Sequence, residues 1–125
     1  FGAPLADARH ADHAVAAALE MQSRLEAWNL IRRSNGEREL QHGIGIHSGT
    51  VLAGNIGSTE RMSYTLVGDA VNVASRIETL NKQFGSRILV SSATRDQLAD
   101  TSKLQALPSV LVKGRSAEVQ VFRLA

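Results

Sequence analysis

Met62-Ser63-Tyr64-Thr65-Leu66-Val67-Gly68-Asp69-Ala70-Val71-Asn72-Val73-Ala74-Ser75-Arg76-Ile77 contains the change of period that decides the fold. Residues 62–67 predict a short strand bounded by glycine. Beyond Gly68-Asp69, Val73, Ile77, Leu80 and Phe84 recur at i, i+4, i+7 and i+11, which is one apolar stripe of a helix. Asp69 brings a carboxylate that can cap free amides at the helix start, and Gly85 suits its end. A strand that passes directly into an amphipathic helix implies a sheet with that helix packed on it.

Outward from this joint, residues 42–47 alternate and predict a strand. Ser48-Gly49 then turns into a second strand over 50–56, so these two strands are expected to form a hairpin, with a polar loop over 57–61. Residues 6–33 predict one long helix. Val15, Leu19, Gln22 and Glu26 mark one row of it, and Ala18, Met21, Leu25 and Trp28 form an apolar seam. Arg32 and Arg33 suit its negative end, and Asn35-Gly36 closes it. Downstream, 87–90 predicts a β-branched strand, and Ser91 or Ser92 caps a short helix to about residue 98. Strands over 104–113 and 118–123 are joined across Gly114-Arg115. The order α-β-β-β-α-β-α-β-β predicts an α+β sandwich, with Val15, Leu19, Val73 and Ile77 as core anchors.

A length of 125 residues suits one core, and an apolar share of 43% with 21% charged residues is globular composition. The formal net charge of +2 is too small to attract a polyanion by field alone. Five aromatics cannot furnish a base-stacking platform, so no nucleic-acid partner is expected. Without cysteine there is no disulfide, thiol nucleophile or sulfur-ligated zinc. Residues 40–59 carry no Asp, Glu, Lys or Arg, but less than half of the run is apolar and five of its residues are glycine. That excludes a membrane-spanning helix there. The opening Phe1-Gly2-Ala3-Pro4 has neither an initiator Met nor a signal sequence, which leads us to expect a piece of something longer. The expected location is cytoplasmic, with a membrane-attached parent as the alternative.

Six of the ten glycines lie between Gly43 and Gly68, yet their spacing matches neither a dinucleotide fingerprint nor a P-loop. The cluster reads first as turn geometry and second as a phosphate cradle. Asn72 and Arg76 stand one helical turn apart, about 40° around the axis, beside the Val73/Ile77 seam. An amide and a guanidinium so placed can hold a sugar oxygen and neutralise phosphoryl charge. The same spacing also fits a solvated face on which Arg76 pairs with Glu78 or Asp69. His10 and His13 have metal-pair spacing without a third ligand and fit a surface helix. His47-Ser48 lacks the elbow motif of a serine hydrolase. Lys113-Gly114-Arg115 puts two cations on a tight turn, as either a phosphate contact or a solubilising tip.

Three runs together resemble the class III nucleotidyl cyclases: Gly43-Ile44-Gly45-Ile46-His47-Ser48-Gly49, Gly54-Asn55-Ile56-Gly57, and Tyr64 through Arg76. Phe1-Gly2-Ala3-Pro4 and Val112-Lys113-Gly114 fit the same order and spacing. The resemblance runs over residues 1–125 and implies one partial domain, the C-terminal two thirds of a catalytic domain. It implies a ferredoxin-like cyclase sandwich lacking its N-terminal strand and helices. The implied reaction converts ATP to 3′,5′-cyclic AMP and pyrophosphate at the interface of a homodimer, with two divalent ions, Mg²⁺ or Mn²⁺. By position, Asn72 would orient the ribose and Arg76 would stabilise charge developing on the α-phosphate. Lys113 would hold the β- and γ-phosphates. Thr65 stands where the family reads the purine, which resembles a bacterial adenylyl-type subset because its hydroxyl can accept from the adenine amino group.

Departures from the pattern qualify these expectations. The family's two metal-binding Asp residues, and the Lys that pairs with the purine reader, fall before the Phe-Gly that opens this sequence. Asp7 and Asp12 follow that position and cannot replace them. A phosphate-binding Arg found in some relatives is Thr50 here. The chain by itself is therefore expected to be inactive and, with one sheet edge open, to self-associate. A catalytically silent cyclase-homology module and a guanylyl cyclase stay open as alternatives.

Overall fold

A computed structural model describes residues 1–111 and 118–124. In chain order its elements are α1 (His10–Ser34), β1 (Ile44–Ile46), β2 (Leu52–Ser58), β3 (Arg61–Val67), α2 (Asp69–Phe84), β4 (Ile88–Ser91) and α3 (Ser92–Arg95). Then come β5 (Leu104–Ala106), β6 (Val110–Leu111), β7 (Glu118–Val119) and β8 (Val121–Leu124). Four strands form the central sheet in the order β1-β4-β8-β5, so β1 and β5 lie at its edges. β1 runs parallel to β4, with Gly45 beside Leu89, and the other two pairings are antiparallel. A parallel pair needs a long crossover. Residues 47–87 provide it, and they carry both the β2–β3 hairpin and α2.

β4 is buried along its whole length because helices cover both faces of the sheet. On one face Ile88, Val90 and Leu124 pack with Ala18 of α1, flanked by half-buried Val15, Leu19, Ile44 and Ile46. On the other face Leu89 and Val121 pack with Val73 and Ile77 of α2, flanked by Leu80 and Phe84. The period-2 alternation of the strands thus sorts their side chains between two helices. The predicted α2 stripe is the buried stripe, and Gly85 ends the helix in the left-handed conformation. Asn81 is buried near the end of α2, where its amide donates to the Ile44 carbonyl at 3.1 Å and ties the helix to β1.

The expected hairpin between the strand at 42–47 and the strand at 50–56 does not form. β1 pairs with β4, while β2 pairs with β3 from Leu52↔Val67 to Ser58↔Arg61. Gly43 and Gly45 lie instead against α2. A Cβ on Gly45 would sit 2.4 Å from the Glu78 amide nitrogen and 2.8 Å from the Ala74 carbonyl oxygen. One on Gly43 would sit 2.7 Å from Glu78 Oε1. These residues leave room for α2 to lie directly on β1, so they are neither a turn nor a phosphate cradle.

The predicted seam on α1 is only partly right. Ala18 is buried and Leu25 half-buried, but Met21 and Trp28 are 52% and 51% exposed. The buried line runs instead through Ala11 and Ala18, which places Val15 and Leu19 at the margin of the core. The Arg32 guanidinium lies 5.4 Å over the exposed Trp28 ring. The last strands are shorter than expected: β5 ends at Ala106, and Pro108 beyond it cannot donate to a ladder. Ser91 caps α3 by accepting the Thr94 amide. The helix stops at Arg95, and i→i+3 bonds continue the coil to Leu98.

Candidate functional site

Gly68 joins β3 to α2 with no linker, and its φ of +148° is a conformation that side-chain-bearing residues rarely adopt. Its neighbours are the Thr50 carbonyl oxygen and Val51 Cα, 3.5 and 3.6 Å from where a Cβ would sit. The expected capping role of Asp69 is not realised in that form. Gly68 is the N-cap, no side chain caps the helix there, and Asp69 is the first helical residue, a carboxylate at the positive end.

From this joint the helix carries Asn72 and Arg76 on an exposed face, each one position before a buried residue, Val73 and Ile77. Neither side chain makes a hydrogen bond or ion pair within the described residues; in particular, Arg76 pairs with neither Glu78 nor Asp69. The solvated face is real, but the pairing that would have explained Arg76 is not there. An unpaired guanidinium with an amide one turn away is a donor set open to an anionic ligand.

Thr65 is half-buried on β3, in register with Gly54 of β2. Gly54 has no side chain, and a Cβ there would meet nothing within 4 Å, so Thr65 is not covered from its partner strand. Thr65 lines an open groove of about 710 Å³ together with Tyr64 and Leu66 of β3, Met21 of α1, and Ile44 and Ile46 of β1. Its α2 wall consists of Ala70, Val71 and Ala74, so Asn72 and Arg76 do not face into it. The structure therefore brings Asn72 and Arg76 together on an exposed face and holds Thr65 on the adjoining strand, in a groove that they do not line. Lys113, the fourth expected site residue, lies outside the described residues.

Among the described residues no three His, Asp or Glu side chains cluster to hold a metal ion. The His10/His13 pair is accounted for otherwise. His13 Nδ1 lies 2.6 Å from Asp7 Oδ2, and His10 packs against Gly2. That contact with His13, together with the Arg9 amide, holds the Asp7 carboxyl below its ordinary range. A two-metal centre does not fit the described side chains. No described helix is long and apolar enough to cross a membrane.

One arrangement escaped the sequence reading. His47 Nδ1 meets Ser91 Oγ, and Ser48 Oγ meets Thr94 Oγ1, each at 2.8 Å. The partners lie more than forty residues away in the chain, on α3 and its cap, so no local signal could have paired them.

The family model described as the adenylate and guanylate cyclase catalytic domain matches residues 1–125. "Adenylate cyclase 1" of Rhizobium meliloti (strain 1021) is 43% identical over 124 residues, which are 99% of this chain and 19% of that protein. The solved adenylyl cyclase CyaB from P. aeruginosa is 30% identical with a TM-score of 0.87, over 100% of this chain and 64% of that one. The solved guanylyl cyclase Cya2 is 35% identical with a TM-score of 0.85, again over 100% of this chain and 62% of that one. The chain thus spans about a fifth of the curated relative's length and under two thirds of each solved chain. With a match along its whole length and the same sheet-and-helix frame, this chain belongs to the adenylate and guanylate cyclase catalytic domain family.

Proposed function

We propose that the protein carrying this chain is an adenylyl cyclase that converts ATP to 3′,5′-cyclic AMP and pyrophosphate. The observation that carries this reading is the pair Asn72 and Arg76, exposed one turn apart on α2 and without protein partners among the described residues. The ribose 3′-oxygen attacks the α-phosphorus and pyrophosphate leaves. Asn72 orients the ribose, and Arg76 neutralises the charge that builds up on the α-phosphate. Positioning and charge neutralisation dominate phosphoryl chemistry, and one such donor is worth about 2.7–4 kcal/mol in the transition state. Thr65 accepts from the adenine amino group, and Lys113 holds the β- and γ-phosphates. Any Mg²⁺ or Mn²⁺ in this reaction is held by side chains outside the described residues. The ATP requirement is met in the cytoplasm.

A second copy of the chain is the proposed partner. β2 and β3 form a two-stranded ribbon outside the central sheet, and Leu52, Ile56, Met62, Tyr64, Leu66 and Val67 are exposed on it. An isolated ribbon of this kind is marginal in water and gains stability by covering those side chains. The family resemblance implies an active site at such an interface, in accord with Thr65 lining a groove that Asn72 and Arg76 of the same copy do not line.

The test is cyclic nucleotide production by the full-length protein with Mn²⁺ and ATP, repeated with Arg76→Ala. The reading expects cyclic AMP from the parent and a loss of two to three orders of magnitude in kcat, roughly, in the variant. Absence of product from the full-length protein would overturn it in favour of a silent dimerisation module. The similarity to the guanylyl cyclase Cya2 favours a GTP reading, and a clear GTP preference in competition would establish it.

A further inference from the structure

Immediately after β1, residues 47–51 run between α3 and the first turn of α2. On the α3 side, Ser91 Oγ meets His47 Nδ1 at 2.8 Å and accepts from the Thr94 amide at 3.3 Å as the helix cap. Ser48 Oγ meets Thr94 Oγ1 at 2.8 Å, and the Ser91 hydroxyl donates to Thr94 Oγ1 at 3.4 Å. Ser91 and Thr94 are 1% and 0% exposed, so these groups satisfy one another and not water. Removing one member leaves another buried polar atom unmatched.

On the α2 side the same segment is packed to contact. The Cβ position on Gly49 lies 2.7 Å from Ala70 Cβ and 3.7 Å from His47 Nε2. Thr50 and Val51 abut Gly68. Ala70 stands two residues before Asn72, and β2, which pairs with the strand bearing Thr65, begins at Leu52. One short segment thus touches both the helix start and the hairpin root, and its polar anchor is on α3.

We propose that His47, held by Ser91 and supported by the Ser48–Thr94 pair, is a positioning residue. It sets the angle at which α2 presents Asn72 and Arg76. This rests on the reading of those two residues as nucleotide contacts. Among the described residues the His47 ring hydrogen-bonds to Ser91, while Asn72 and Arg76 lie outside the groove that His47 lines with Thr65. Loss of His47 acts on those two residues through the alignment of α2, and misplacement by an ångström is costly in rate.

The full-length protein provides the test. His47→Leu should lower kcat on the order of tenfold to a hundredfold. The nucleotide KM should stay within about twofold, because the interaction lost is one of the transition state. His47→Asn, which keeps a hydrogen-bonding atom near the Nδ1 position, should recover most of the loss. The double variant His47→Leu/Ser91→Ala should be no slower than the slower single variant, since both remove one coupled unit. Amide exchange over residues 69–73 should quicken in His47→Leu while that of β4 does not. Wild-type kcat in His47→Leu, with Arg76→Ala inactive, overturns the positioning role and leaves the site reading intact. Full activity of Arg76→Ala overturns the site reading instead. In that event unchanged exchange at 69–73 removes the positioning role as well, and quickened exchange retains the control of α2 by His47.

Discussion

Gly45 and Glu78 lie in backbone contact, because a Cβ on Gly45 would stand 2.4 Å from the Glu78 nitrogen and 2.8 Å from its Cα. The obstacle is helix backbone, not the end of a flexible side chain, so it cannot rotate away. Gly45→Ala must push α2 off β1, and overpacking of this kind costs about 1–3 kcal/mol. Gly54→Ala, whose Cβ would meet nothing within 4 Å, should change stability by less than about 0.5 kcal/mol. Urea unfolding of the two variants, read as a shift of midpoint at constant slope, checks the contrast.

Thr65 faces a strand position without a side chain, since its partner in register is Gly54. If its hydroxyl accepts from adenine, Thr65→Val should weaken selection of ATP over GTP by about tenfold, the worth of one hydrogen bond. Competition between the two nucleotides in the full-length protein measures that ratio. An unchanged ratio would remove Thr65 from the purine contacts.

Asp7 is stabilised as a carboxylate first by the His13 ring and then by the Arg9 amide. A folded-state value below the unfolded one adds stability at pH above the ordinary carboxylate value, and that stability is lost as pH falls through the lowered value. Its contribution is small because the pair is exposed and screened by solvent. Carboxyl chemical shifts followed from neutral to acid pH should show Asp7 titrating late, and His13→Ala should move it up toward the usual range.

Met62, Tyr64 and Leu66 alternate along one side of β3 and are 59%, 48% and 42% exposed. Sedimentation should show self-association that rises with concentration, through this surface and the open edge of β1. Tyr64→Lys with Leu66→Lys should shift the distribution toward monomer. A wild-type chain that stays monomeric across the range would contradict the dimer.

Sequence periodicity alone determined α2. Its stripe of Val73, Ile77, Leu80 and Phe84, its glycine end, and the shared exposed face of Asn72 and Arg76 all follow from 3.6 residues per turn. The Ser91 cap and the turn at Asn35-Gly36 were legible for the same reason, since each is a contact between residues close in the chain. Tertiary structure decided what β1 pairs with, because β4 lies more than forty residues onward and an alternating run names no partner. It also decided which line of α1 is buried: with apolar residues spread around that helix, only the sheet selects Ala11 and Ala18 over Met21 and Trp28. Gly43 and Gly45 gained their meaning only when α2 came to rest on them. Likewise, His47 and Ser48 became one unit with Ser91 and Thr94 only when the sheet brought α3 to the end of β1, a proximity created by long-range packing and not by any local preference of the chain.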